Sequence, residues 1–148
     1  MNSDLLVIFE NEQVFPDALT YARELALRID ARVTLLMLVS MSFAGSGILG
    51  AKRSALKKIE SRAGALLAKF SEPFIRERIE IASALKIGEP AQELIKYLAD
   101  RPPFKAILWG SGQELPFVAK GGSGHWLRKV TASLECPLLT ITRRTPPQ

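Results

Sequence analysis

The chain has 148 residues, of which 47% are hydrophobic and 24% are charged, and its formal net charge is +5. This length and composition are those of one soluble globular domain, spanning residues 1–148, with no internal repeat or low-complexity segment. The modest charge, the sparse aromatic residues and the lack of an RNA-binding or zinc-finger motif argue against nucleic acid as the main ligand.

Signals of a membrane or secreted protein are missing from the sequence. No apolar run approaches the roughly 20 residues that a membrane helix needs. The first ten residues, Met1–Glu10, have neither a basic n-region nor a small-residue cleavage site. Cys136 is the only cysteine, so no intramolecular disulfide can form. We therefore predict a cytoplasmic protein that does not bind a membrane.

The first part of the chain alternates between apolar runs and amphipathic segments. Leu5–Phe9 is apolar throughout, which is typical of a parallel strand buried on both faces. A helix is predicted to open at Phe15-Pro16 and to pack on the sheet through residues at three- and four-residue steps. Ala31–Val39 is again mostly apolar and predicts the second strand.

The middle of the chain is predicted to hold a loop and a long helix. Ser40–Gly50 is a loop of small residues, which either covers a ligand or only connects its neighbours. The helix is expected over Ala51–Ser71, with Glu72-Pro73 ending it. Its basic residues form either a solvated face or a surface for an anion or a partner, and they are Lys52, Arg53, Lys57, Lys58 and Arg62.

The second half continues the alternation. Ile75–Leu85 alternates apolar and charged residues, which predicts an edge strand. A third helix is expected from Gly88-Glu89-Pro90 to the prolines at 102 and 103. The last elements are predicted as a strand over Ala106–Trp109, a helix over His125–Leu134, a strand over Leu138–Thr142 and a loose tail over Arg143–Gln148.

This order of strands and helices predicts the fold class. Alternation without a long unstructured gap indicates an α/β fold with a doubly wound, five-stranded parallel sheet and right-handed crossovers. Helices are expected on both faces, as in Rossmann-like folds. No linker divides the chain.

The stretch Ala106–Gly124 carries the strongest functional signal. A buried strand ends in Gly110-Ser111-Gly112, and a loop rich in Gly and Pro leads to a helix near His125. Glycines let backbone N–H groups approach an anion, and a helix N-terminus adds donors and partial positive charge. The spacing fits neither the Walker pattern nor the dinucleotide fingerprint, so its position in the chain gives the motif its weight.

Taken in order, these pieces resemble the universal stress protein family over essentially the whole chain. The pieces that carry the resemblance are Leu5–Phe9 with the helix after it, the strand ending at Val39, Ile87–Ala91, Ile107–Ser111 and Cys136–Ile141. The resemblance implies strand order 3-2-1-4-5, a regulatory role in stress response and a homodimer through the last strand, Leu138–Thr142. It also implies membership of either a nucleotide-binding or a non-binding group.

The family's nucleotide binders share a signature of Gly, two residues, Gly, nine residues and Gly-Ser/Thr. Gly110 can be its first glycine, and Gly124 its third, because Gly124 keeps the family's spacing to Cys136. The chain's loop is one residue longer than the signature, and Gly112 stands one place early. The other departures are Glu10 for the Asp that ends strand one, Lys105 for the Asp that opens strand four, Gln113 for the middle glycine and His125 for the hydroxyl.

The resemblance and the strand order nominate the same crevice. In an open sheet, a ligand lies beyond the carboxyl ends of the strands where their order reverses, here between strands one and four. ATP or AMP would place its adenine at Val39 and its phosphates at the glycine loop. The predicted site residues are Phe9, Glu10, Asn11, Val39, Gly110, Ser111, Gly112, Ser123, Gly124 and His125.

Several of these residues have two interpretations. His125 is either an anion ligand or a helix-start residue that packs against the loop. Glu10 either accepts bonds from ribose hydroxyls or is simply a polar strand end. Ser123 is an N-cap or a substitute hydroxyl. Trp109 is predicted to lie in the core, and Cys136 to be an inert core thiol.

Three functions remain open from the sequence. The first is a sensor or regulatory module that holds an adenine nucleotide. The second is a non-binding, dimeric interaction protein with unknown protein partners. The third is slow nucleotide hydrolysis, for which the sequence offers little, since it has one histidine, no Gly-x-Ser-x-Gly elbow and no metal-ligand cluster.

Overall fold

The computed structural model describes residues 3–41, 49–116 and 124–141, and it confirms the predicted α/β fold. The elements are, in chain order, β1 (Ser3–Glu10), α1 (Pro16–Ile29), β2 (Ala31–Ser40), α2 (Leu49–Arg76), β3 (Ile81–Gly88), α3 (Pro90–Ala99), β4 (Ala106–Trp109), α4 (Trp126–Thr131) and β5 (Leu138–Leu139). Within these residues, no helix is both long enough and apolar enough to cross a membrane.

The described strands form a single parallel sheet in the order β3-β2-β1-β4-β5. Its central strand, β1, pairs with β2 along its whole length and with β4 through Leu5–Ile8. The strand order therefore reverses between β1 and β4, as the resemblance implies. The third strand lies at an edge, as its alternating sequence predicts.

Helices cover both faces of the sheet, and β1 supplies both core layers. Leu5, Val7 and Phe9 point into the layer that contains α1 and α2. Leu6 and Ile8 point into the layer that contains α3 and α4. All five side chains are fully buried. Burial on both faces explains why the strand reads as a continuous apolar run.

The predicted end of the long helix is wrong. The helix α2 continues through Pro73 to Arg76. A proline this near the C-terminus removes one backbone hydrogen bond and leaves most of the helix intact. Phe74, only 1% exposed, anchors the last turn in the core. The helix closes where Arg78 adopts a φ of 61° and Ile79 N donates to the Phe74 carbonyl over 2.9 Å.

The predicted third strand is displaced for the same reason. Because α2 runs on to Arg76, Ile75 is helical, and β3 spans Ile81–Gly88 rather than Ile75–Leu85. The charged residue Glu80 precedes the strand and accepts a backbone bond from Val33 over 2.9 Å.

The last two elements are shorter than predicted. The helix α4 ends at Thr131, since Ser133 N and Leu134 N bond to carbonyls three residues back, in tighter turns. The strand β5 pairs with the four-residue β4 only at Leu138 and Leu139. Parts of the predicted loop after β2, Ser123, Thr142 and the tail Arg143–Gln148 lie outside the described residues.

Gly110 is held where no larger residue fits. Its N–H donates to Ile8 O and its carbonyl accepts from Phe15 N, both over 2.7 Å. A Cβ atom at Gly110 would lie 2.5 Å from Phe9 Cε1 and 2.8 Å from Val7 Cγ1. Close packing at the end of β4 therefore requires glycine here, whether or not a ligand binds.

We expect Gly110→Ala to lower the free energy of unfolding by about 1–3 kcal/mol, because the Phe9 ring must shift. The matched control is Gly124→Ala, where an added Cβ atom would meet no atom of the described residues within 4 Å. This control should change stability by less than about 0.5 kcal/mol. Urea denaturation measures both, and equal losses would contradict the packing argument.

Candidate functional site

The carboxyl ends of β1 and β4 meet at the reversal of strand order. Ile8 in β1 pairs with Trp109 in β4, so Glu10 and Gly110 follow at the same edge of the sheet. The helix α4 begins above this edge. The structure thus brings Glu10, the Gly110 turn and His125 into one crevice, hereafter the β1/β4 crevice.

A hydrogen-bonded cluster spans the crevice. The Glu10 Oε1 atom lies 2.7 Å from His125 Nε2 and accepts a hydrogen bond from Trp126 Nε1 over 3.0 Å. The His125 and Glu10 side chains are 16% and 21% exposed. Partial burial strengthens such bonds relative to bonds in open water. The cluster therefore fixes the start of α4 over the end of β1.

The second nitrogen of the His125 ring caps α4. Its Nδ1 atom accepts a hydrogen bond from Leu127 N over 3.1 Å. An accepting Nδ1 carries no proton, so Nε2 carries the ring proton and donates it to Glu10 in the neutral tautomer. Both ring nitrogens are therefore engaged within the chain. This arrangement matches the interpretation of His125 as a helix-start residue.

Two tryptophans pack around the His125 ring. Trp109, 2% exposed, meets it edge-on with the ring centroids 5.8 Å apart. Trp126 lies at 5.1 Å, with its ring plane inclined by 34°. Trp109 is thus a core residue, as predicted. The role of Trp126 as a donor to Glu10 could not be predicted from the sequence, because this tryptophan belongs to no recognisable motif.

Ser111 and Asn11 tie the loops of the crevice together. The Ser111 hydroxyl accepts from Glu10 N over 2.7 Å and donates to the Gln13 carbonyl over 2.6 Å. Asn11 has a φ of 54°, and its Oδ1 atom accepts from Ser40 N over 2.9 Å. These bonds join the carboxyl ends of β1, β2 and β4.

The remaining predicted residues lie at different depths. Phe9 is fully buried against Gly110, and Val39 is 8% exposed in the same core layer. Gly112 lies beside Trp109, and a Cβ atom there would be 4.0 Å from the indole nitrogen. Gly124 is exposed, and Ser123 is outside the described residues.

One basic residue of α2 reaches the loop after β1. The Arg62 guanidinium binds both carboxylate oxygens of Glu12, over 2.9 and 3.0 Å. The hydrogen bond from Arg62, followed by its charge, lowers the pKa of Glu12. Arg62 therefore already pairs with a carboxylate of its own chain. This pair could not be predicted from the sequence, because its members are 50 residues apart.

The described residues of the crevice offer hydrogen-bond acceptors. Neither nitrogen of His125 is available as a general base while both keep their present partners. Among the residues that the structure describes, no group of three or more His, Cys, Asp or Glu side chains could hold a metal ion. The arrangement is suited to holding a polar ligand.

No protein-family model matches this chain, and no curated protein matches it.

Solved structures share its fold. A universal stress protein family member from Burkholderia pseudomallei is 20% identical, with 95% of this chain and 96% of that chain covered and a TM-score of 0.65. An Arabidopsis thaliana universal stress protein family protein with AMP bound is 16% identical, with 97% and 93% covered and a TM-score of 0.58.

A third solved structure is a universal stress protein in complex with cAMP, 12% identical, with 95% of this chain and 98% of that chain covered and a TM-score of 0.58. All three similarities run over nearly the whole length of both chains, and they agree with the strand order seen here. The chain therefore has the fold of the universal stress proteins.

Proposed function

We propose that this protein is a cytoplasmic regulatory module of the universal stress protein type that binds an adenine nucleotide in the β1/β4 crevice. The observation that carries the proposal is the convergence of Glu10, the glycine turn after β4 and the start of α4 at the reversal of strand order. Proteins of the same fold have been solved with AMP and with cAMP bound, which supports this class of ligand.

Glu10 has the geometry of a ribose acceptor that is already held in place. Both observed hydrogen bonds of the Glu10 side chain reach Oε1. Its other oxygen, Oε2, accepts no hydrogen bond from the residues that the structure describes. A carboxylate that is fixed through one oxygen presents the other to ribose hydroxyls with little further loss of side-chain entropy. In this proposal Glu10 does the work of the usual Asp.

His125 acts on the ligand through Glu10. A contact between its ring and a phosphate would require giving up either the bond to Glu10 or the cap on Leu127 N. Phosphate donors are therefore expected from the backbone of the loop that Gly112 and Gly124 flank. Gly124 is exposed, and no atom of the described residues would lie within 4 Å of a Cβ atom there, which supports access of an anion to its backbone.

The first test is binding itself. We expect ATP or AMP to give a saturable heat in calorimetry, and mass spectrometry of gently released small molecules to detect a nucleotide in purified protein. Gly124→Val should weaken binding at least about tenfold, or 1.4 kcal/mol, because its side chain blocks the approach of the phosphates.

The structure makes Gly124→Val a clean probe. The added side chain meets no atom of the described residues, so the variant should unfold at the same urea concentration as the parent. Unchanged affinity in this variant would refute the phosphate placement. Absence of both heat and bound nucleotide at millimolar ligand would refute the nucleotide-binding function.

A second candidate is a non-binding interaction protein of the same fold. The observation that favours it is the internal pairing of the crevice, where both nitrogens of His125 and one oxygen of Glu10 already have partners. The same calorimetry separates the two functions, since only the first predicts a saturable heat.

The positioning role of His125 predicts different costs for two substitutions. His125→Ala removes the helix cap and the bond to Glu10, and we expect a loss of about 1–3 kcal/mol in unfolding free energy. His125→Asn keeps a capping oxygen and should lose less. Urea denaturation followed by the fluorescence of Trp109 and Trp126 measures both variants. Equal losses would show that the cap contributes nothing.

We also propose a homodimer through β5. This strand lies at the edge of the sheet, and Leu138 and Leu139 are only partly buried. An uncovered apolar edge offers backbone groups to another strand, and a two-fold axis pairs two copies of one edge in antiparallel fashion.

Light scattering at micromolar concentration should therefore give twice the monomer mass of 16.3 kDa. In the parallel pairing with β4, Ile107 N donates to Pro137 O, so the backbone carbonyl of Pro137 faces β4. Backbone groups alternate in direction along a strand, so the N–H of Thr140 points away from β4, toward the open edge of the sheet. Thr140→Pro removes that donor and should yield a monomer with an unchanged circular dichroism spectrum. A wild-type monomer would contradict the proposed dimer.

A further inference from the structure

An apolar cavity lies at the opposite end of the sheet from the β1/β4 crevice. Its volume is about 300 Å³, and it is bounded by the end of α3 and by the segments that lead into β4 and β5. Its apolar lining includes Ile95, Leu98, Pro102, Phe104, Ile107 and Leu134. We call it the α3/α4 cavity. Open apolar cavities of this kind favour an occupant that displaces water.

The rim of the cavity adds two opposite charges and a thiol, from Arg101, Glu135 and Cys136. The Arg101 guanidinium already has a partner in α3, since it stacks on the Tyr97 ring and donates to the Tyr97 carbonyl over 2.8 Å. Glu135 and Cys136 lie just before β5. Glu135 is exposed, and it makes no ion pair with the residues that the structure describes. Ile95 is 50% exposed although it is apolar. An occupant with apolar groups and positive charge would satisfy both features.

The topology of the sheet determines which segment can reach this rim. In the proposed dimer, the β5 strands run antiparallel, so the chain that leaves β5 of one copy passes the start of β5 in the other. A two-fold axis at Thr140, whose N–H points outward, would set Thr142 of one copy against Leu138 of the other. The next residues, from Arg143 onward, then run past Pro137 and Cys136 of the other copy.

We propose that the segment Thr142–Gln148 of one copy occupies the α3/α4 cavity of its dimer partner. The segment, TRRTPPQ, carries two arginines that complement Glu135 and two prolines, Pro146 and Pro147, that suit the apolar lining. Adjacent prolines favour an extended conformation, so little entropy is lost when they dock against aromatic and proline side chains. This inference rests on the proposed dimer.

Docking within one copy is less favourable. The segment leaves β5 at the carboxyl edge of the sheet, whereas the cavity lies at the amino edge. Its seven residues span at most roughly 23 Å, and much of that reach would be spent on reversing direction. In the dimer, the segment starts beside the cavity and needs no reversal.

The single cysteine of the chain allows a direct test. We expect Thr145→Cys to form a disulfide with Cys136 of the other copy under mild oxidation, because docking brings their Cα atoms within roughly 7 Å. The product is a covalent dimer on a non-reducing denaturing gel. Lys58→Cys, exposed on a helix of the other sheet face, is the control and should give no covalent dimer above background.

The possible outcomes separate the two proposals. A wild-type monomer in light scattering overturns both the dimer and the docking. A dimer in which Thr145→Cys stays uncrosslinked, or crosslinks no more than Lys58→Cys, overturns the docking alone. A disulfide formed within one chain, seen as thiol loss at monomer mass, also overturns docking in the partner. Each outcome is independent of the nucleotide calorimetry.

A second measurement uses the natural thiol without new cysteines. Replacing Pro146 and Pro147 by Asp should release the segment and speed the alkylation of Cys136 by roughly threefold. The reaction is run at mildly alkaline pH, since burial and, less strongly, the charge of Glu135 raise the pKa of the Cys136 thiol. An unchanged rate, with the dimer intact, would mean that the segment does not cover the cavity.

Discussion

The hydrogen bond between Glu10 and His125 joins parts of the chain that are 115 residues apart. It fixes the end of the central strand to the start of α4, and the second nitrogen of the same ring caps that helix. A short helix has little stability of its own, so such anchoring determines where it begins. The start of α4 is therefore placed over the end of β1 by this bond, together with the burial of Leu127 and Val130.

The sheet could be predicted from the sequence because a strand that is buried on both faces consists of consecutive apolar residues. Strands such as β1 and β4 are continuous apolar runs, and their alternation with helices restricts the topology to few choices. The end of α2 could not be predicted this way. Pro73 predicts a stop, but the burial of Phe74 is a tertiary contact that stabilises one further turn. The start of β3 is displaced because this tertiary contact outweighs the local tendency of proline to end a helix.

The convergence at the candidate site was predictable, whereas its hydrogen bonds were not. Strand order alone brings Glu10 near Gly110, since both follow adjacent parallel strands. The partners of Glu10, however, depend on side-chain rotamers and on the indole of Trp126, which belongs to no sequence motif.

Gly110 shows that one motif can have two explanations. Its sequence context suggests a phosphate loop, yet the contact with Phe9 already accounts for the missing side chain.

The helix α4 connects the two ends of the molecule that carry proposals. Its first residue follows His125 at the crevice, and the residues after its end, Leu134 and Cys136, line the α3/α4 cavity. A ligand that draws the carboxylate of Glu10 toward ribose would weaken its hold on His125 and bias the position of this helix. Coupling of this kind is reciprocal, so nucleotide and dimer partner would change each other's affinity by one common factor. If saturating nucleotide left dimer dissociation unchanged, the factor would be one, and α4 would be excluded as a link between the two ends.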